Sequence, residues 1–461
     1  MEHEQEVIDL FCGWPNPSLL PTSALSEAFN TVMADSSIRT PALMYGPDEG
    51  YGPVREHIAQ WLTSYYKPKD PIPSSRICIT GGASQNLACI LQVFSDPIYT
   101  RNVWMVAPTY HLACRIFDDA GFAGRLRAVP QDKTGLDLDY LRRELVAAEE
   151  RVGAGIQPLK PDRPWGRLYK HVLYATPTFS NPSTLTMSLA DREHLVRLAR
   201  EFDILIITDD VYDFLQWPSD LKTPLDPVAE ALLPRLVDVD RYLDGGPSNE
   251  CGNVVSNGSF SKLIGPGIRT GWAEGTDDFA YGLSQTGCQR SGGSPSQFSS
   301  AMVDQLFPQG ILQTHIDQVL RPAYASRYHR MMSAINEHLL PLGATLPFSG
   351  PSVVGGYFIW VALPGSLRAN DLAPVALQEH RVKIAAGELF QVQRDLGVTK
   401  NEFGSYVRLC FAWEQEENLA EGVRRLGYAI RQMTVKSESG PRSPITLTHG
   451  LRELEPRATV E

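Results

Sequence analysis

The chain has 461 residues, enough to bury a large core and to divide into one large and one smaller domain. Its composition, 43% hydrophobic and 21% charged, is that of an ordinary soluble protein, and a net charge of -11 argues against the basic clusters of a nucleic-acid binder. Seven cysteines (12, 78, 89, 114, 251, 288, 410) form no CxxC pair, which fits a reducing compartment.

The start, Met1-Glu2-His3-Glu4-Gln5-Glu6, is acidic, unlike a secretory or mitochondrial leader, and the apolar run Ile204 to Ile207 is too short to span a bilayer. A cytoplasmic protein with no membrane or nucleic-acid partner and no metal site is expected. The first strand, Ile77-Cys78-Ile79-Thr80, runs into Gly81-Gly82-Ala83-Ser84-Gln85, a small-residue turn that opens a helix at Asn86-Leu87. Backbone amides at such a helix start can hold a phosphate, although many strand-to-helix turns are glycine-rich. A second strand, Val103 to Val106, leads to Ala107-Pro108-Thr109-Tyr110. Tyr110 can stack on a flat heterocycle or be an ordinary half-buried tyrosine. Residues 151–168 read as a surface insert.

The strand His171 to Tyr174 leads through Thr176-Pro177 to Asn181-Pro182, where Asn181 supplies an amide or simply a turn. The strand Ile204 to Thr208 ends in Asp209-Asp210-Val211-Tyr212. Carboxylates directly after a buried strand are costly unless partnered, and a protonated pyridine nitrogen is a suitable partner for Asp209. The same four residues can equally cap a helix. A second surface insert is expected over 218–252. Val254-Val255 and Ser259-Phe260 flank Asn257-Gly258, a hairpin-type turn signal. Asn257-Gly258-Ser259 also matches a glycosylation sequon, inert without a signal peptide.

Ser259-Phe260-Ser261-Lys262 is followed by Gly265-Pro266-Gly267-Ile268-Arg269-Thr270-Gly271-Trp272. An amine among hydroxyls, with an arginine in a Gly/Pro-rich turn, suits pyridoxal phosphate. Lys262 can condense with the aldehyde as a Schiff base while Ser259, Ser261, backbone amides and Arg269 hold the phosphate. The same residues also describe a surface lysine beside a glycine turn. From Asn418 onward, Leu419, Val423, Leu426, Ile430 and Met433 mark the apolar stripe of a helix, and beyond Val435 the composition predicts a disordered tail. Apolar strands alternating with helices predict an α/β fold with a mostly parallel central sheet, whose ligands bind outside the carboxyl ends of the strands.

Taken together and in this order, these segments resemble the fold-type I, class I/II aminotransferases, especially the 2-aminoadipate, kynurenine and aromatic aminotransferase subgroup of fungal type, over residues 9 to 435. Further matches support the resemblance. Tyr45-Gly46-Pro47 with Gly50-Tyr51-Gly52-Pro53-Val54-Arg55 is similar to the segment whose tyrosine reaches a neighbouring subunit's phosphate. Gly13-Trp14-Pro15 is similar to the N-terminal glycine segment over the substrate, and Gly355 to Trp360 to a strand of the small domain. Val407-Arg408-Leu409-Cys410-Phe411 matches the strand whose arginine clamps the substrate α-carboxylate, a role that suits a planar guanidinium.

The resemblance implies a homodimer with shared active sites that moves an amino group from an amino acid to a 2-oxo acid. It implies an N-terminal arm (1–44), a large pyridoxal-phosphate domain (45–300), a small domain (301–435) and a tail (436–461). Lys262, Asp209 and Tyr212 are the expected catalytic residues. Ala83, Ser84, Tyr110, Asn181, Ser259, Ser261, Arg269 and Tyr45 join them around the cofactor, and Arg408, Gly13 and Asn181 bind substrate. Ala83-Ser84 stands where the family often carries Ser-Gln, and Cys12 where related sequences often offer an arginine.

Other readings fit less. Ser259-Phe-Ser-Lys262 matches the SxxK of penicillin-binding acyl enzymes, but Lys133-Thr134-Gly135 precedes it where that fold needs it after. A DNA-binding regulator built on this domain needs an N-terminal helix-turn-helix and a basic surface. A dinucleotide fingerprint needs its third glycine at 270, not 271. Cysteine-conjugate C–S lyases and aminocyclopropane-carboxylate synthases share the whole constellation and stay open as alternatives.

Overall fold

The computed structural model describes residues 6–132, 135–151, 157–226, 230–347, 351–393, 395 and 403–438. At its centre lies an eight-stranded sheet. Along the chain its strands are β1 (Ile77–Thr80), β2 (Asn102–Ala107), β3 (Leu126–Asp132), β4 (Gly135–Leu136), β5 (His171–Ala175), β6 (Ile204–Asp209), β7 (Val254–Ser259) and β8 (Gly271–Glu274). They lie side by side in the order β1-β8-β7-β6-β5-β2-β3-β4. Strands β2, β3, β5, β6 and β7 are parallel, β8 is antiparallel to both neighbours, and β4 folds back on β3. The apolar runs expected to form strands over 77–80, 103–106, 171–174 and 204–208 all do so, in a mostly parallel sheet.

Side chains alternate across the sheet, so Val172, Tyr174, Leu205 and Ile207 enter one core, and Leu173, Ala175, Ile204 and Ile206 another. Helices Ala83–Phe94, His111–Phe117 and Asp277–Ser284 cover the first face. Leu138–Arg151, Leu189–Phe202 and Leu236–Tyr242 cover the second. With both faces dry, the strand ends are where the sheet meets solvent and ligand.

A smaller sheet has Tyr406–Cys410 in the middle, antiparallel to Phe358–Ala362 and Ala385–Ala386. The N-terminal Ile8–Asp9 pairs with Val382–Lys383 beside it. The C-terminal helix runs over Glu416–Glu438 and packs its buried Leu419, Val423, Leu426 and Ile430 against helices Arg321–His338 and Ala369–His380. It takes in the first three residues of the expected tail. Residues 439–461, Lys133 and Thr134 lie outside the described residues, as do 152–156 of the first expected insert, whose residues 157–168 are mainly exposed or half-buried.

The structure corrects several expectations. Asn257-Gly258 is no hairpin turn but the middle of β7, with every residue of the strand buried. Glycine is there for space: a Cβ at Gly258 would stand 2.1 Å from the Trp272 ring of β8. Asn257 is there for its amide, which takes a bond from Asn86 (2.8 Å) and gives one to the Ala83 carbonyl (3.0 Å), tying β7 to the helix start. The insert 218–252 is not all surface either. Its Leu236–Tyr242 helix caps the second face of the sheet, and Arg235 is buried between Asp238 (2.9 Å) and Glu274 (2.7 Å) over the Tyr66 ring. Arg235 reads as solvent-facing because Glu274 and the Tyr66 ring are distant in sequence. Gly355 to Trp360 is not one strand: Val353–Gly355 pairs with Gln216–Pro218, and Gly356, at φ +74, turns the chain into Phe358–Ala362. The helix after β1 opens at Ala83 rather than Asn86, so Ala83 and Ser84 lie in its first turn.

If Trp272 leaves no room above Gly258, Gly258→Ala should lower the stability of the protein by about 1–3 kcal/mol. At Gly52 an added Cβ meets nothing within 4 Å, so Gly52→Ala should leave stability unchanged or slightly raised. Urea-unfolding midpoints of the two variants check the contrast.

Candidate functional site

The carboxyl ends of β1, β2, β5, β6 and β7 open onto one region. At its edge, Gly271 of β8 lies between Thr80 and Ser259. A Cβ at Gly271 would crowd the Gly258 carbonyl (2.5 Å) and Gly82 Cα (3.2 Å), so glycine lets the three strand ends close up. Gly82, at φ +94, caps the helix Ala83–Phe94, whose first intrahelical bond runs from Asn86 N to Gly82 O. The amides of Ala83, Ser84 and Gln85 therefore lack intrahelical acceptors. Arg269 is anchored on this turn: Nη2 donates to Gly81 O at 2.7 Å and Nη1 to Pro266 O at 2.9 Å. Ser259 Oγ, next to β8, lies 2.9 Å from Ser261 Oγ and accepts from Ser261 N. A helix start, two hydroxyls and an exposed guanidinium form a cradle that can hold a phosphate.

Asp209 ends β6 across the region. Its Oδ2 accepts from the Tyr174 hydroxyl at 2.8 Å, while its buried Oδ1 has no partner among the described residues. Burial pushes the carboxyl up to about 6; the Tyr174 bond opposes that, Asp210 adds to it, and Lys262 opposes it. No helix begins at Asp209-Asp210, so the helix-cap alternative does not hold. Asp210 instead accepts from Thr208 (2.6 Å) and Ser256 (2.5 Å), deep in the sheet. Tyr110 is half-buried at the end of β2, and burial, then Asp209, raises its phenol to about 12. Tyr212 is buried, and burial, then Asp209, likewise holds its phenol protonated.

Lys262 Nζ donates to the Gly13 carbonyl at 2.9 Å and lies 5.2 Å from the Tyr357 ring centroid. Burial holds the amine below the ordinary lysine range, against the pull of Cys410 and Asp209. Arg408, buried in the strand Tyr406–Cys410, donates from Nη1 to Asn181 Oδ1 (2.9 Å) and from Nη2 to Phe11 O (2.7 Å), leaving Nε without a partner among the described residues. Its guanidinium sits 4.0 Å from the Phe358 ring centroid and 4.8 Å from that of Phe390. Gly13 fits beneath: a Cβ there would lie 3.0 Å from Phe358.

The structure thus gathers Ala83, Ser84, Ser259, Ser261 and Arg269 at one end, Asp209, Tyr110 and Tyr212 behind, and Lys262, Gly13, Asn181 and Arg408 in front. It does not bring Tyr45 there: that residue is 85% exposed. Tyr174, Tyr357 and the phenylalanines around Arg408 were missed in the sequence. Tyr174 lies next to the end of a buried strand, and that position was the available signal. Phe11, Phe358 and Phe390 carry no such mark, since apolar residues in and beside strands read simply as core.

The model of the family Aminotransferase class I and II matches residues 18–426. The chain belongs to that family. As a class I/II aminotransferase it is a fold-type I transaminase that depends on pyridoxal phosphate. It is similar to an uncharacterized protein of Saccharomyces cerevisiae, 34% identical over 93% of this chain and 98% of the relative. It is also similar to aromatic-amino-acid aminotransferase 1 of Thermococcus litoralis, 27% identical over 93% of this chain and 88% of that protein. Among solved structures, kynurenine aminotransferase of Pyrococcus horikoshii, solved in complex with PMP, superposes with a TM-score of 0.74 at 26% identity, covering 93% of this chain and 92% of the other.

An Asp209 carboxyl raised from its unfolded value near 4 to about 6 binds its proton more tightly when folded. The stability this contributes is full below about pH 4 and lost as pH rises through about 6. Asp209→Asn should therefore make the cofactor-free aminotransferase more stable at pH 7 by about 3 kcal/mol, with the gap closing toward pH 4. The same change should cost about a hundredfold or more in turnover. Urea unfolding at both pH values, alongside rates, checks the opposite signs.

Proposed function

We propose that this transaminase takes its amino group from amino acids with uncharged, aromatic side chains and acts as a cytoplasmic homodimer with shared active sites. The observation that carries the substrate class is the setting of Arg408. Its guanidinium, with an unpartnered Nε, is ringed by Phe358 and Phe390, and Tyr110, Tyr212 and Phe11 lie close by. A carboxylate paired with Arg408 would therefore leave the rest of an amino acid among aromatic faces. The nearby cation Lys383 is already 3.3 Å from Asp9, so a second carboxylate finds little there. The aromatic-amino-acid and kynurenine aminotransferases among its relatives support the same class.

The buried, unpartnered Asp209 oxygen and the cradle around Gly82 fit the two ends of pyridoxal phosphate: ring nitrogen and phosphate. When bound, that cofactor supplies an aldehyde for an amine and a ring that accepts the electron pair left by a departing proton. Ala83 and Ser84 amides, Ser259, Ser261 and Arg269 would hold the phosphate. Tyr110 would stack on the ring, and Asn181 and Tyr212 would hold its oxygen. Lys262 Nζ is the group we assign to the cofactor aldehyde and, once free, to the proton on the substrate Cα. Burial, which holds the amine below the ordinary lysine range, favours its neutral form, the form that can accept that proton. Gly13 O orients the amine and Arg408 binds the α-carboxylate.

Consecutive exposure of Leu43 (60%), Met44 (63%) and Tyr45 (85%) supports a partner copy covering this edge, with Tyr45 reaching the partner's phosphate. The cysteine pattern supports a reducing cytoplasm. We assign the cofactor domain to residues 45–300 and the smaller domain, with the N-terminal arm packed on it, to 301–435; the Ile8–Asp9 pairing with Val382–Lys383 supports the arm's place.

An amino-donor panel against 2-oxoglutarate and pyruvate tests the reading, with glutamate, alanine, ammonia and free thiol assayed together. Aromatic donors should give the highest kcat/KM with stoichiometric glutamate or alanine. Steady ammonia or thiol release would instead mean elimination, and a preference for dicarboxylic donors would overturn the substrate class.

Two variants test the roles. Borohydride should fix the cofactor on the peptide containing Lys262, and Lys262→Ala should bind cofactor without turnover. Arg408→Leu should raise KM for every donor, at a cost of about 2–5 kcal/mol in kcat/KM, with cofactor absorbance intact. Loss of cofactor from Arg408→Leu, or full activity of a monomer in sedimentation, would count against the clamp and the Tyr45 assignment respectively.

A further inference from the structure

Tyr174 lies behind the site, where no cofactor or substrate contact is assigned. It belongs to β5, beside and parallel to β6, with Tyr174 registered opposite Ile207. Alternation puts it on the same face as Ile207 and hence as Asp209. The residue is 2% exposed, its ring packs edge-on to Phe117, and its hydroxyl reaches Asp209 Oδ2 at 2.8 Å. A buried hydroxyl without a partner is costly, so the position is one where a phenylalanine would pack as well and the extra oxygen has a purpose.

The purpose follows from the other oxygen of the carboxylate. Asp209 Oδ1 is buried and, among the described residues, unpartnered. A carboxylate bonded at neither oxygen is free to rotate; bonded at Oδ2, it presents Oδ1 in one direction. We propose that Tyr174 is a positioning residue, whose hydroxyl holds Asp209 ionised and turned so that Oδ1 faces the cofactor's ring nitrogen. This rests on Asp209 being the partner of that nitrogen.

Charged and titratable groups face Asp209 from several elements. Asp210 follows it and Tyr212 lies just beyond, Tyr110 comes from the end of β2, and Lys262 from the turn after β7. Burial and Asp210 disfavour the anion, whereas Tyr174 and Lys262 favour it. Burial keeps the Tyr174 phenol protonated, so it remains a donor throughout the working range. Removing it therefore raises the pH below which Asp209 carries its own proton. A protonated Asp209 cannot receive a pyridinium, so cofactor affinity falls below that pH.

The test is equilibrium dialysis of pyridoxal phosphate against the cofactor-free chain from pH 5 to 8. In Tyr174→Phe the acid midpoint of binding should rise by about one pH unit and affinity at pH 6.5 should fall about five- to tenfold, with the unfolding midpoint of the apoprotein little changed at pH 5, where Asp209 carries its own proton in both proteins. 3-Fluorotyrosine at 174, a stronger donor of nearly the same shape, should move the midpoint the other way and serves if the phenylalanine variant folds poorly. In an Asp209→Asn background the Tyr174→Phe effect should vanish. An unmoved midpoint in both Tyr174 variants, with Asp209→Asn itself weakening cofactor, overturns the proposal alone. Unchanged binding in Asp209→Asn overturns the reading of Asp209 on which it rests.

Discussion

A half-satisfied carboxylate at the end of a buried strand is the constraint around which this molecule is arranged. An ion there is expensive, and evolution of a stable fold alone would have replaced Asp209 or bonded both of its oxygens. One oxygen is bonded and the other is left bare, which makes sense only if something else arrives to share it. The parallel sheet makes the arrangement possible, because it brings several strand ends to one region while keeping both faces dry. Tyr110, Asn181, Asp209 and the Ser259 to Lys262 turn come from different loops but from one rigid edge, so their spacing is set by strand pairing rather than by the loops.

The positive groups of the site show how an acidic protein of net charge -11 prepares for an anionic ligand. Long-range attraction is absent, so each cation is fixed locally by a carbonyl or amide: Arg269 on Gly81, Lys262 on Gly13, Arg408 on Asn181 and Phe11. Such anchors are neutral and leave the charge itself uncompensated. Donors already pointed toward the place where an anion will lie need little reorganisation when it comes. The aromatic walls around Arg408 strengthen its field by keeping water away.

Much of this was legible in the sequence, for a physical reason: residues that act at strand ends are polar groups where apolar runs stop. That contrast exposed Tyr110, Asn181, Asp209 and the lysine segment, and the runs themselves gave the sheet. What stayed hidden were features whose meaning depends on a distant neighbour. Asn257-Gly258 looks like a turn because nothing local reveals the Trp272 ring against Gly258 or the Asn86 amide beside Asn257. Arg235 looks solvent-facing until Glu274 and Tyr66 are brought to it. Phe358 and Phe390 look like core, and they are core, except that one of their faces is turned to Arg408.

The bond from Arg408 to Phe11 joins residues 397 positions apart. Next to it, the Leu10 carbonyl accepts from Cys410 N at 2.8 Å. The front wall of the pocket is thus stitched from the first and nearly the last parts of the chain. During synthesis the main sheet can form around β1 to β8 while Phe11 and Gly13 wait for a strand not yet made. Contacts of such long separation are slow to close and are lost first when the C-terminal portion is missing. The pocket is therefore finished last, so a chain released early would hold a sheet and a lysine but not the wall that carries Arg408.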